Sequence, residues 1–287
     1  MDQILRTLSQ NLPNLSPQLT RAARIILDNP SAVAVNSMRG LASEAKVSPP
    51  TMLRLAQRLG FDRYEDFRAV FKKRLTQNRY GERAQELHHA AGQDGVGGVV
   101  NMTAAAAAES IRQFDEDSFV QDIEDIADLL MNGGKIYVVG VSAMYGLVSS
   151  FHYVCRMVLP NMKVASIGGS TPIDGLVTIQ PEDVVFGVSI APYARSTVLA
   201  LQFAKRQGAR IAAITDRRTS PLAQLSDATA IVDTVSPHYF PTLISVTAAL
   251  EALSAVIAIK GGQESIDAIA KYDTAMRSNK FYWDEEK

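Results

Sequence analysis

The run from residue 38 to residue 59, Met38-Arg-Gly-Leu-Ala-Ser-Glu-Ala-Lys-Val-Ser-Pro-Pro-Thr-Met-Leu-Arg-Leu-Ala-Gln-Arg-Leu59, decides how the first part of the chain is read. Met38, Leu41, Ala42 and Ala45 recur at helical spacing and predict one short helix over 38–45. Lys46-Val47 makes a tight turn. Ser48 suits the N-cap of a second helix and Pro49 its first position, where the missing N–H has no intrahelical partner anyway. This helix runs to Leu59 and stops at Gly60. Leu53, Ala56 and Leu59 fall on one face, and Thr51, Arg54 and Arg58 share another at spacings of three and four. Two helices about a short turn, the second with a polar, basic outward face, is the geometry of a helix-turn-helix. Its second helix lies in the major groove with its N-terminal residues nearest the base edges. The same pattern fits a small helical bundle whose arginines are merely solvated.

Charge bears on that choice. The whole chain has 29 Lys and Arg against 30 Asp and Glu, a net of −1. Residues 1–80 carry 13 basic and 6 acidic side chains, a net of +7, which leaves −8 for the remainder. An anionic partner is therefore expected for one end only. A basic segment with helix-turn-helix patterning favours duplex DNA over a solvated bundle. On this reading Ser48, Pro49, Pro50, Thr51, Arg54 and Arg58 face the DNA, with Arg39 and Lys46 as backbone contacts. An arginine can make two hydrogen bonds to guanine, whereas phosphate contacts position the protein without reading sequence.

Composition changes near residue 78. Asn78-Arg-Tyr-Gly-Glu-Arg83 and then Gly92-Gln-Asp-Gly-Val-Gly-Gly98 suit a flexible linker, and the alanines of 104–108 favour a connecting helix over 99–114. From residue 117 the pattern alternates. Short apolar strands are expected at Lys135–Gly140, Lys163–Ile167, Asp183–Ser189, Arg210–Thr215 and Ala228–Val232. Helices are expected at 117–130, Ala143–Leu159, Ser196–Arg206, Pro241–Lys260 and Gln263–Ser278. Strands with little polar alternation, separated by helix-length segments, mean a parallel sheet covered on both faces. The expected architecture is an all-α helix-turn-helix domain over 1–77, a linker and connecting helix over 78–116, and an α/β doubly wound parallel-sheet domain over 117–287. Such sheets bind ligands at the carboxyl ends of their strands.

Several function classes are disfavoured. A hydrophobic fraction of 47%, a charged fraction of 21% and a mean hydropathy of +0.01 argue for ordinary cores and against global disorder. The single cysteine, Cys155, leaves no disulfide framework and no cysteine-only zinc site, and its apolar surroundings predict a buried, inert thiol. His88-His89 has no cysteine or acidic cluster beside it, so no metal is expected. There is no basic-then-apolar leader, and the most apolar window, Leu243–Ile259, is interrupted by Ser245, Thr247, Glu251 and Ser254 and falls short of the ~20 residues of a spanning helix. A soluble, cytoplasmic chain without membrane contact is the expectation.

Several blocks resemble a known family. Leu12-Pro-Asn-Leu-Ser-Pro-Gln-Leu19, Ala23-Arg-Ile-Ile-Leu-Asp-Asn-Pro30, the run from Leu41 to Phe61, and Tyr64-Glu-Asp-Phe-Arg68 resemble the RpiR/MurR regulators, in the expected order. The resemblance implies a bacterial transcription factor with an N-terminal helix-turn-helix and a C-terminal sugar isomerase (SIS) domain. Residues 117–260 resemble that second domain through Lys135-Ile-Tyr-Val-Val-Gly-Val-Ser142, Asp183-Val-Val-Phe-Gly-Val-Ser189, Ala204-Lys-Arg-Gln-Gly-Ala-Arg210, Ile214-Thr-Asp216 and Ser220–Asp227. SIS domains characteristically bind phosphosugars, with hydroxyls and backbone N–H groups cradling the anion at a helix N-terminus.

The resemblance weakens where the phosphate should sit. The usual Ser-x-Ser-Gly-x-Thr loop is here Ser189-Ile-Ala-Pro-Tyr-Ala-Arg-Ser-Thr197, without the second serine and the glycine, and Pro192 removes a backbone donor. Arg195 could restore the attraction by a bidentate contact; equally, the loop could recognise a different acid or pack a subunit. The effector residues expected are Ser142, Ser189, Tyr193, Arg195, Ser196 and Thr197. The implied regulator works as a homodimer or homotetramer on a palindromic operator, responds to a small anionic metabolite, and needs no cofactor and no catalytic residue. The alternative is a SIS-type sugar-phosphate isomerase with a helical appendage. Its proton shuttle would come from His152, His238 or Glu251. In a third reading the arginine face docks an acidic protein.

Overall fold

The computed structural model of the chain describes residues 2–12, 15–28, 30–76, 80–166 and 170–283. It separates into two compact units, Met1–His88 and His89–Lys287.

In the first unit the helices α1 (Asp2–Asn11), α2 (Pro17–Asp28), α3 (Pro30–Val35), α4 (Met38–Glu44), α5 (Pro49–Arg58) and α6 (Tyr64–Thr76) surround one core. Phe67 is its hub, with ring centroids 5.6 Å from Phe61, 5.7 Å from Tyr64 and 4.9 Å from Phe71. Leu41 and Ala42 of α4 are buried in the same cluster as Met52, Leu55 and Ala56 of α5. The buried face of α5 is therefore rotated from the one its leucines suggest. Leu53 and Leu59 are only partly buried, because α5 packs on α2 and α6 as well as on α4.

The glycines of 92–98 lie within α7 (Tyr80–Ser110), two helical segments that meet at a break at Gly95, where φ is 68° and ψ −175°. Strong helix formers on both sides carry the intervening glycines, each costing about 1 kcal/mol relative to alanine.

The second unit continues with α8 (Asp117–Met131), β1 (Ile136–Val139), α9 (Ala143–Cys155), β2 (Met162–Val164), β3 (Val184–Val188), α10 (Arg195–Arg206), β4 (Arg210–Thr215), α11 (Pro221–Leu225), β5 (Ala228–Ile231), α12 (Ile244–Lys260) and α13 (Gly262–Ser278). The five strands form one parallel sheet in the order β2-β1-β3-β4-β5. Both faces are covered, as the apolar strands require. Ile136, Val138, Val184, Phe186 and Ile214 enter the core under α8, α9 and α12. Their neighbours Tyr137, Val139, Val185 and Ile211 enter the core under α10 and α11. The expected doubly wound fold is the observed one.

Two helix boundaries of the sheet domain move inward. Helix α9 ends at Cys155, and a turn in which Leu159 N donates to Cys155 O (2.7 Å) follows, since the residue before Pro160 is pushed out of helical conformation. Helix α12 starts at Ile244, after a loop in which Ile244 N donates to Thr242 Oγ1 (3.3 Å). Ile167, expected to close the second strand, lies outside the described residues.

Candidate functional site

In the first unit the turn between α4 and α5 is a helix-terminating motif without glycine. Lys46 N donates to Ser43 O (3.1 Å) and Val47 N to Ala42 O (2.9 Å), the paired bonds of a Schellman cap. Lys46 takes the left-handed position, φ 52°, that glycine normally fills. Ser48 follows as the N-cap of α5 with φ −79° and ψ 149°, and Pro49 and Pro50 occupy its first turn. The Ser48 hydroxyl does not cap the backbone, because Pro50 has no N–H and Thr51 N already donates to Ser48 O (2.9 Å). Instead Ser48 Oγ lies 3.0 Å from Thr51 Oγ1.

Arg39, Lys46, Ser48, Pro50, Arg54 and Arg58 are exposed, and Pro49 is half-buried. Thr51 departs from the expectation: it is 1% exposed and cannot share the outward surface of Arg54 and Arg58. The first turn of α5 lies against α2, and Thr51 Oγ1 sits 3.4 Å from Gln18 Oε1. Arg54 Nη2 donates to Thr51 Oγ1 (3.3 Å). Among the described residues Arg39, Lys46, Arg54 and Arg58 have no carboxylate partner, so their charges stand unneutralised on the surface. Gln18 was invisible to sequence reasoning, because 33 residues separate it from Thr51 and no motif links them.

In the second unit the turns after β1 and β3 lie at the carboxyl edge of adjacent strands, where the strand order reverses direction. Ser142 caps α9 with φ 54° and ψ −126°, a conformation an L-residue adopts at a cost of roughly 1–3 kcal/mol. It is exposed. Close approach sets this turn, since a Cβ on Gly140 would come within 2.7 Å of Val148 Cγ1. After β3, Ser189 is 3% exposed, and its N–H donates to Ile214 O (3.3 Å). Arg195 begins α10, exposed and without an ion pair among the described residues. Ser196 is half-buried. Thr197 is fully buried, yet its hydroxyl has no hydrogen-bond partner among the described residues. Such orphans are rare in folded chains.

Tyr193 faces the protein rather than the solvent edge. Its hydroxyl donates to Asp216 Oδ1 (2.7 Å), while Arg217 Nε and Nη2 donate to Asp216 Oδ2 (3.0 and 2.7 Å). Burial first, and then the Asp216 charge, push the Tyr193 phenol well above its ordinary pKa. A neutral donor bonded to a carboxylate holds the loop.

The candidate proton shuttles separate. His152 Nε2 lies 3.2 Å from Met162 O, joining α9 to β2, and Glu251 is exposed on α12. His238 accepts from Phe240 N at Nδ1 (3.0 Å) and lines a cavity of about 450 Å³ with Phe240, Ala143, Thr103 and Ala107. The small side chains of α7 leave that space open; the alanine run signalled a helix, but its facing cavity could not be read from it. Among the described residues, no three His, Cys, Asp or Glu side chains gather closely enough to hold a metal ion, and no single helix is long and apolar enough to cross a membrane.

Comparison with known proteins matches these units. The helix-turn-helix domain of the rpiR family matches residues 2–78, and the SIS domain matches residues 129–259. An HTH-type transcriptional regulator of Caldanaerobacter subterraneus is 24% identical over 231 residues, covering 79% of each chain. Among solved structures, the Vibrio vulnificus NanR protein, complexed with ManNAc-6P, aligns over 96% of this chain and 98% of its own with a TM-score of 0.56 and 19% identity. The sugar isomerase domain of the RpiR transcription factor from Sphaerobacter thermophilus aligns over 60% of this chain and 96% of its own, with a TM-score of 0.54 and 22% identity. The chain thus joins a helix-turn-helix domain of the rpiR family to a parallel-sheet SIS domain, the make-up of an RpiR-type transcriptional regulator.

Proposed function

We propose that the chain is a non-enzymatic, cytoplasmic regulator that binds a palindromic operator as a homodimer or homotetramer and responds to a small anionic metabolite. The observation that supports it best is the set of exposed cations on α4, the turn and α5, which have no carboxylate partner among the described residues. Arg54 and Arg58 supply base and phosphate contacts together with Ser48, Pro49 and Pro50, while Arg39 and Lys46 hold the phosphate backbone.

The effector is held at the carboxyl edge of β1 and β3 by Ser142, Ser189, Ser196, Thr197 and Arg195. The strained Ser142 turn and the orphan Thr197 hydroxyl favour a ligand there. A phosphosugar is the first candidate, given the ligand of the Vibrio vulnificus relative. The missing serine and glycine of the loop keep other sugar-derived acids in play. To regulate, the effector must bind one arrangement of the DNA-binding units better than another. An isomerase reading would rest on His238, which lines the cavity, since His152 is engaged with a backbone carbonyl and Glu251 faces solvent.

In vitro selection from randomised duplexes with the full chain tests the DNA reading. A recovered palindrome is expected. Arg54→Ala should relax preference at one base position and cost about 1–3 kcal/mol; a uniform loss over all duplexes would assign Arg54 to phosphate, and a pool that never enriches would refute the reading.

A further inference from the structure

The hydroxyl of Thr51 is the meeting point of three exposed side chains. Arg54 Nη2 donates to it at 3.3 Å, Ser48 Oγ lies 3.0 Å away, and Gln18 Oε1 lies 3.4 Å away across the contact between α5 and α2. A hydroxyl offers one donor and two acceptor sites, so Thr51 has capacity for all three contacts. Thr51 itself is 1% exposed, whereas Ser48, Gln18 and Arg54 all face solvent. A buried group fixed by packing thus holds Ser48 at the N-terminal turn of the second helix, the part of a helix-turn-helix nearest the base edges, and Arg54 one turn further on.

Resting on the DNA-binding reading, we propose that Thr51 is a positioning residue for base readout: it touches no base, but aims the Arg54 guanidinium and holds the Ser48 hydroxyl beside it. A free arginine side chain samples many rotamers and loses that freedom on binding. Anchoring one Nη2 hydrogen on Thr51 restricts the fork while leaving the Nη1 edge and the second Nη2 hydrogen for two-point contact with guanine. Thr51 therefore contributes to selectivity rather than to general attraction for DNA.

Thr51→Val keeps the buried shape and removes the hydroxyl. The three partners it releases face solvent, where water replaces the lost bonds, so the variant should fold. The probes are the duplex enriched by the wild-type full chain and a random-sequence duplex of equal length. The expected result is a tenfold or greater loss of the affinity ratio between the two, with random-duplex affinity unchanged. Thr51→Ser should restore the ratio to within about threefold. In an Arg54→Ala background, Thr51→Val should lower the ratio by less than twofold, because its effect runs mainly through Arg54. A wild-type ratio in Thr51→Val, additive losses in the double variant, or a folded Thr51→Ser that has lost selectivity would each overturn the proposal. If Thr51→Val does not fold, the Thr51→Ser ratio decides by the same criterion. A wild-type chain that enriches no duplex overturns the DNA-binding reading, and this inference with it; enrichment combined with a normal ratio in Thr51→Val overturns the inference alone.

Discussion

Arg195 and Cys155 show what a single side chain does in its surroundings. Arg195 is an exposed cation at the first turn of α10, next to the loop that departs from the Ser-x-Ser-Gly-x-Thr pattern. Arg195→Ala is expected to weaken binding of a sugar phosphate or sugar acid about tenfold by calorimetry, while DNA affinity without effector stays constant. Unaltered effector affinity would remove Arg195 from the site. Cys155 is 2% exposed, and burial pushes its thiol from the ordinary value near 9 up to about 11, against a smaller opposing pull from its hydrogen bond to Ser254. Because the folded-state value is raised, the unfolded thiol ionises first as pH rises. The stabilisation this group provides is complete below pH 9 and is lost as pH climbs towards 11. Labelling with a thiol reagent at pH 8 should be at least a hundredfold slower in the native chain than in urea; equal rates would contradict a buried, protonated thiol. The buried cysteine was legible from its apolar helical neighbours. Thr51 was not, since spacing along α5 aligns it with Arg54 and Arg58 and only the tertiary contact with α2 draws it inside.

At the scale of elements, periodicity and turn chemistry located α4, α5, the five strands and the helices α8, α9, α10, α12 and α13 to within a few residues, because apolar runs and capping residues act locally; α1, α2, α3, α6 and α11 were not located. The glycines of α7 marked a break, which falls at Gly95, while the helix formers around them carry the others as helix. The turn between α4 and α5 carries a testable tension. Lys46 sits at φ 52°, where a β-carbon is disfavoured, yet it is also an exposed cation beside the second helix. Lys46→Gly should raise stability by about 0.5–1 kcal/mol in urea unfolding. The same substitution should weaken binding to every duplex alike, as loss of a phosphate contact does. A fall in stability would show that the left-handed turn is held by contacts of the lysine itself, and an unchanged DNA affinity would remove Lys46 from the backbone contacts. The strained turn at Ser142 has no sequence signature, because serine at the end of a strand is ordinary; α9 packs closely on Gly140 just before it.

For the molecule as a whole, the two-part architecture was legible because its parts follow different rules. A basic, helix-patterned segment of net +7 precedes an acidic one of net −8 in which apolar strands alternate with helices. What the sequence leaves open is the effector, since the cavity beside His238 and the edge at Ser142 and Thr197 are products of chain segments distant in sequence. The account depends above all on sequence-selective DNA binding by the basic unit. The most direct test is the affinity of the full chain for its enriched duplex relative to a random duplex, measured from 50 to 300 mM salt. The account predicts a ratio of roughly 10³ or more near 150 mM, with affinity for both duplexes falling steeply as salt displaces the phosphate contacts. Equal affinity for the two duplexes at every salt concentration would contradict it.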